Sequence, residues 1–274
     1  MYELSGVRKV FVNGGVGLDG ISLTVGRGEH VAFIGPSGAG KTTLFRVLNL
    51  TLRPTAGRLV LGGLDVEALS GAGLRGARRR LGTIYQQQNL VGRLRVIHNV
   101  LAGNLGRWSA PTALASLVRP RGTRDAERAL AQVGMPEKLY ARTDELSGGQ
   151  QQRVAIARVL VQDPDVILAD EPVSSVDPTL ALSIVTLLRD LCHETRKTLL
   201  VNLHSVELAL RHFPRIVGIK DGRVSFDLSP DQIRPEMLGE LYAGHRDNAA
   251  PREEFRDGDH PFGGACRPLP GFDR

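Results

Sequence analysis

The run HVAFIG (His30–Gly35) leads straight into PSGAGKTT and then into the apolar stretch LFRVLNL. A short unbroken apolar run bounded by a turn reads as a strand buried on both faces. A glycine-rich turn and a helix follow it. This unit constrains the fold more than any other feature, because such a strand needs parallel neighbours and helical cover. The neighbours are present: GTIYQ (Gly82–Gln86), DVILAD (Asp165–Asp170), TLLVNL (Thr198–Leu203) and RIVGIK (Arg215–Lys220) are short, apolar and do not alternate. Between Pro178 and Glu194, residues Leu180, Ile184, Leu187, Leu188 and Leu191 fall at helical spacing. Asp177 reads as the N-cap of that helix, with Pro178 at its first position. Alternating strands and helices predict an α/β domain over residues 1–244. The part from Val91 to Glu145 is rich in Leu, Ala and Arg and reads as helical. It predicts an inserted helical subdomain over about 91–160. After Gly244 proline, glycine and mixed charge dominate, which predicts a poorly ordered tail over 245–274. No internal repeat is visible.

The turn after the first strand, Gly35–Thr43, fits G-x-x-x-x-G-K-[ST]. Glycines at Gly35, Gly38 and Gly40, with Pro36, Ser37 and Ala39 between them, let successive N–H groups face one anion. The following helix adds the positive end of its dipole. Lys41 would reach the β- and γ-phosphates of a nucleotide, and Thr42, followed by Thr43, would offer a hydroxyl to Mg²⁺. A plain glycine turn is the simpler alternative, but the flanking strand and helix argue for a nucleotide. Asp170 and Glu171 end the run VILAD and would face the crevice where open α/β sheets bind ligands. Asp170 would hold Mg²⁺ and Glu171 would act as general base toward water. His204 and Gln86 also fall at the ends of apolar runs. His204 could hydrogen-bond a γ-phosphate; on its own it would read as a structural histidine.

ELSGGQQQRVAIARVL (Glu145–Leu160) raises a different question. Ser147, Gly148, Gly149 and Gln150 open a helix whose first N–H groups have no partner within it. That is a second anion site in a chain with one phosphate loop, unless the serine is only a helix cap. Two half-sites far apart in sequence suggest two copies meeting head to tail.

Composition excludes little. The 274 residues carry a net charge of +6, which suits a nucleotide, a nucleic acid or an anionic membrane. Cys192 and Cys266 follow no metal or redox spacing and fit a reducing cytosol. The N-terminal MYELSGVRKVF lacks the apolar core of a signal peptide. No run approaches the roughly 18 apolar residues of a membrane span, so work at a membrane would need a membrane partner.

In combination these motifs resemble the ATP-binding subunits of ABC transporters. Walker A (Gly35–Thr42), the Gln-loop (Gln86), the signature LSGGQ (Leu146–Gln150), Walker B (Val166–Asp170) with Glu171, the D-loop SSVD (Ser174–Asp177) and the His-loop (His204) occur in order. The resemblance covers about residues 1–244. It implies a P-loop ABC cassette with a RecA-like core, an antiparallel β subdomain and an inserted helical subdomain. It also implies that Phe11 stacks on adenine, that Gln86 is both a catalytic residue and a metal ligand, and that Asp177 lies at the nucleotide. IYQQQNLVGRLRVIHNVLAGNLG, ILADEPVSSVDP and VNLHSVELALRHFPRIVGIKDGRVSFD are most similar to the ATPases of phosphonate importers. Gln88 stands where an aromatic residue is usual, and the linker from Leu50 to Gly57 is short. Gln88 lies on the surface implied to meet the membrane partner.

The implied cycle places two ATP and Mg²⁺ between two copies, each site joining one copy's Walker A to the other's signature. Closure would move the Gln-loops and the membrane permease subunits, and hydrolysis would reopen the dimer. A periplasmic or lipid-anchored binding protein would deliver substrate indirectly, and no nucleic acid would be bound. The expected location is peripheral, on the cytoplasmic face of the inner membrane. Three alternatives stay open: a soluble ABC ATPase of translation or repair, a P-loop kinase, and a non-transport ABC-like subunit of a soluble phosphonate-degrading complex. The first usually carries two cassettes or a coiled-coil insert, and the second lacks the signature.

Overall fold

The computed structural model describes residues 1–173 and 177–244. The expected D-loop residues Ser174, Ser175 and Val176, and the tail 245–274, lie outside the described residues. The chain opens with β1 (Tyr2–Val10), β2 (Val16–Val25), β3 (His30–Ile34), α1 (Lys41–Leu48), β4 (Ala56–Leu61) and β5 (Leu64–Asp65). Next come α2 (Gly71–Arg79), β6 (Leu81–Ile84), α3 (Val96–Leu101), α4 (Ala110–Val118), α5 (Thr123–Gln132) and α6 (Gly148–Gln162). The last part holds β7 (Val166–Asp170), α7 (Pro178–Glu194), β8 (Thr198–Asn202), α8 (Val206–His212), β9 (Arg215–Lys220), β10 (Arg223–Leu228) and α9 (Pro235–Tyr242).

The non-alternating runs form one sheet in the order β10-β9-β3-β8-β7-β6. Its strands β9, β3, β8, β7 and β6 are parallel, and β10 pairs antiparallel with β9. Both faces are covered. Ala32, Ile34, Ile167, Ala169, Leu199 and Val201 pack with α3, α5, α6 and α7. Their alternates Val31, Phe33, Val166, Leu168 and Leu200 pack with α1 and the second sheet. The strands read as continuous apolar runs because each face has its own core.

Parallel pairing brings the strand ends that matter to one edge. Asn202 is opposite both Phe33 and Asp170 in the ladder, and Ile84 is opposite Ala169. Two of these ends fall short of the sequence reading. β6 stops at Ile84 and β8 at Asn202, so Gln86 and His204 stand on the loops just beyond.

The second sheet is antiparallel, in the order β2-β1-β4-β5. Its apolar periodicity is hard to see in the sequence because β1 changes register between Leu4 and Val7, where Gly6 has φ 57°. Tyr2, Leu4 and Val7 are all buried, although a strict period of two would expose Val7. The turn at Gly222 ties the sheets together: its N–H donates to the Ala39 carbonyl (2.9 Å) and its carbonyl accepts from the Asp19 N–H (2.8 Å). Arg223 reinforces the join through Asp19 at 2.6 Å. Among the described residues no helix is long and apolar enough to cross a membrane.

Candidate functional site

The loop between β3 and α1 is shaped by backbone that tolerates no side chain. Gly35 has φ 149°, and a Cβ there would lie 2.0 Å from the Ile219 carbonyl oxygen. Gly40, the N-cap of α1, has φ 102°, and its Cβ would lie 2.4 Å from the Gly17 carbonyl oxygen. The loop curls around Lys41, whose buried ammonium donates to the carbonyls of Gly35 (2.6 Å) and Pro36 (3.0 Å). Burial lowers the Lys41 pKa, against the opposing pull of the Glu171 and Asp170 carboxylates. Ser37, Gly38 and Thr42 are exposed on the rim; Pro36 and Ala39 are buried and Thr43 is half-buried. A glycine-shaped loop curled around a cation fits a polyphosphate.

The β1–β2 hairpin brings Phe11 to this loop. A Cβ on Gly17 would lie 2.6 Å from Phe11 Cε2 and 3.0 Å from Thr43 Cγ2, so the ring and the loop's last residue flank one glycine. The Lys9 ammonium stands 5.8 Å from the ring centroid. Phe11 is 37% exposed, enough to leave ring surface for a flat base.

The acidic side follows from β7 and β8. Asp170 ends β7, where Asn202 Nδ2 donates to its Oδ1 at 2.7 Å. Burial raises the Asp170 pKa, partly offset by the Asn202 hydrogen bond. Glu171 follows with φ 52°, a left-handed conformation uncommon for residues other than glycine. Its N–H donates to the Asn202 carbonyl at 3.2 Å. Its carboxylate meets His204 Nε2 at 2.7 Å. That hydrogen bond, above all, holds the Glu171 carboxyl below the usual glutamate range. The sequence assigns Glu171 and His204 separate tasks; the structure joins them as a pair. Sequence reasoning passed over Asn202, although an asparagine inside the run TLLVNL was a signal.

The donor set around Asp170 suits a hard cation. Among the described residues no group of three or more His, Cys, Asp or Glu side chains forms a metal cage. One carboxylate and the Thr42 hydroxyl are the kind of oxygen donors Mg²⁺ takes alongside phosphates.

The remaining candidates stand apart. Ser147 caps α6, accepting from the Gln150 N–H (3.3 Å) while Gln150 Oε1 accepts from the Ser147 N–H (3.0 Å). This capping box satisfies part of the helix start and leaves the Gly148 and Gly149 N–H groups. Gly149 has a packing reason too: a Cβ there would lie 2.4 Å from Leu180 Cδ2 on α7. Gly148 has nothing near it. Among the described residues no hydrogen bond joins this turn to the Gly35–Thr43 loop. Asp177 caps α7 by accepting from the Leu180 N–H at 3.0 Å. Gln86 is exposed beyond β6, the strand beside β7.

A parallel sheet with a glycine cradle over a lysine, and two carboxylates at the end of a nearby strand, defines a P-loop nucleotide-binding protein. The chain belongs to the ABC transporter family, whose sequence pattern matches residues 18–174. It is 46% identical, over 92% of its length and 96% of the relative's, to the phosphonates import ATP-binding protein PhnC 2 of Pseudomonas aeruginosa strain UCBPP-PA14. It is 47% identical, over 89% of its length and 91% of the relative's, to PhnC 1 of Pseudomonas aeruginosa strain PAO1. Among solved structures it is similar to the dimeric structure of MJ0796, a bacterial ABC transporter cassette. There the TM-score is 0.72 at 31% identity, with 84% of this chain and 99% of that one covered.

Proposed function

We propose that this chain is the ATP-hydrolysing subunit of a phosphonate importer, acting as a homodimer beneath a membrane permease. The observation that carries the reading is the likeness to import ATP-binding proteins along nearly the whole of both chains, joined to a built Lys41–Asp170–Glu171–His204 site. The names of those relatives favour import over a soluble degrading complex. On this reading the Gly35–Thr43 loop and Lys41 bind the phosphates, and Phe11 stacks on the base. Thr42, Asp170 and Gln86 would hold Mg²⁺, which would supply positive charge beside the phosphates. Glu171 accepts a proton from water as its oxygen attacks the γ-phosphorus. The bond to the bridging oxygen breaks, leaving ADP and phosphate. His204 holds Glu171 oriented and ionised. Ser147, Gly148, Gly149 and Gln150 of one copy, with Asp177, complete the other copy's site.

One surface suits the permease. A cleft of about 520 Å³ between α2, the 102–108 turn and the end of α6 is lined by Arg75, Arg78, Arg79, Arg107, Leu105 and Trp108. Helix α6 links it to the loop after Gln86. Arg158 donates to the Gln88 and Asn89 carbonyls, and Gln162 to those of Arg79 and Leu81. The cleft fits an acidic segment with one apolar side chain, at the cytoplasmic face of the inner membrane.

The test is uptake. Deleting the gene in its host should abolish growth on a phosphonate as sole phosphorus source. The wild-type chain should restore growth and Glu171→Gln should not. Undiminished growth without the gene would overturn the phosphonate assignment.

A further inference from the structure

We propose that Asn202 is a positioning residue for the metal: its amide fixes the Asp170 carboxylate in the orientation that receives the cation. The inference rests on the ATPase reading above. Asn202 is fully buried in the last position of β8, opposite Asp170 in the ladder. Its only side-chain hydrogen bond among the described residues runs from Nδ2 to Asp170 Oδ1, at 2.7 Å. Its own Oδ1 is buried without a partner.

That asymmetry is informative. A buried acceptor left unpaired works against folding, so the amide is a poor device for stability. A leucine would leave no unpaired acceptor of its own at this position, and only Asp170 Oδ1 would lose a partner. What the amide does supply is one donor, aimed at one oxygen of Asp170. With Oδ1 engaged, Asp170 presents Oδ2 in a fixed direction. Hydrogen-bonded partners of this kind set the orientation of ligating carboxylates, and losing them typically weakens metal binding 10- to 100-fold. The Asn202 carbonyl meanwhile holds the Glu171 N–H. One residue thus registers both carboxylates, but only the Asp170 contact depends on its side chain.

The experiment titrates Mn²⁺ into the full-length chain saturated with a non-hydrolysable ATP analogue. Free Mn²⁺ is read by electron paramagnetic resonance for wild type, Asn202→Leu and Asn202→Ala. Both variants should bind Mn²⁺ about 10- to 100-fold more weakly. Analogue affinity in excess chelator should be unchanged. In turnover, the Mg²⁺ concentration for half-maximal rate should rise while the limiting kcat recovers toward wild type. Asn202→Leu should melt no lower than wild type; if it does not fold, Asn202→Ala carries the test. Mn²⁺ affinity within twofold of wild type in a folded variant would overturn the proposal. So would a kcat that stays low at every Mg²⁺ concentration, which marks a structural role. Absence of metal-dependent analogue binding in wild type itself would remove the ATPase reading, and the inference with it.

Discussion

His204 Nε2 lies 2.7 Å from Glu171 Oε1, so the candidate general base and the histidine on the loop after β8 form one unit. Glu171→Gln should bind ATP yet turn over at least about 100-fold more slowly, the upper part of what a general base contributes. His204→Ala should shift the pH profile. The histidine's hydrogen bond lowers the Glu171 pKa while burial raises it. Without His204 the acid limb of kcat/KM should move to higher pH. The double variant should be no slower than Glu171→Gln alone; additive losses, measured by steady-state ATPase assays, would show that the two act separately.

Lys41 and Ser147 test the two-copy site. Lys41→Ala and Ser147→Arg homodimers should each be nearly inactive. In a mixture, heterodimers place both lesions in one composite site and leave the other intact. ATPase activity should then exceed the average of the two variants. Activity no greater than that average, with subunit exchange shown independently, would mean that each copy builds its site alone.

Phe11 is held against the loop by the Gly17 contact. If it stacks on the base, Phe11→Ala should weaken nucleotide binding by roughly 1 to 3 kcal/mol, the value of base–aromatic stacking. Calorimetry with ATP should show the loss and with inorganic triphosphate should not. Equal losses for both ligands would point to a disturbed loop.

The arginine cleft predicts a charge-dependent interface. Arg75→Glu with Arg79→Glu should abolish copurification with the permease at low salt, with the melting temperature of the isolated chain unchanged. Retained copurification would move the docking surface elsewhere.

His30 predicts how stability depends on pH. Burial is the main cause that lowers its pKa, with His193 and Arg189 adding to it and the Lys197 backbone opposing. The unfolded chain, with an ordinary histidine pKa of about 6.5, therefore binds the proton more readily than the folded one. Stability should be complete above that pH and decline as pH falls below it. Melting curves from pH 7.5 to 5.5 should show the decline for wild type and a flatter response for His30→Leu. Parallel curves would place the sensitivity at another group.

What the sequence shows by itself is local chemistry that depends on neighbours in the chain. The apolar runs 30–34, 166–170, 198–202 and 215–220 are strands because their inner residues are apolar and suit burial on both faces. Asp177 and Ser147 cap helices because capping joins residues three positions apart. The Gly35–Thr43 cradle is likewise contained in one stretch. The tertiary structure decided what depends on residues far apart. β1 hides its period because its register shifts against β2, a fact of pairing and not of composition. Gly149 also has a packing reason to be glycine that its own stretch does not show, because Leu180 of α7 lies against it. Glu171 and Asp170 are adjacent in sequence, yet one turns to His204 and the other to Asn202. The parallel pairing of β8 with β7 sets those partners, because it places strand ends distant in sequence side by side.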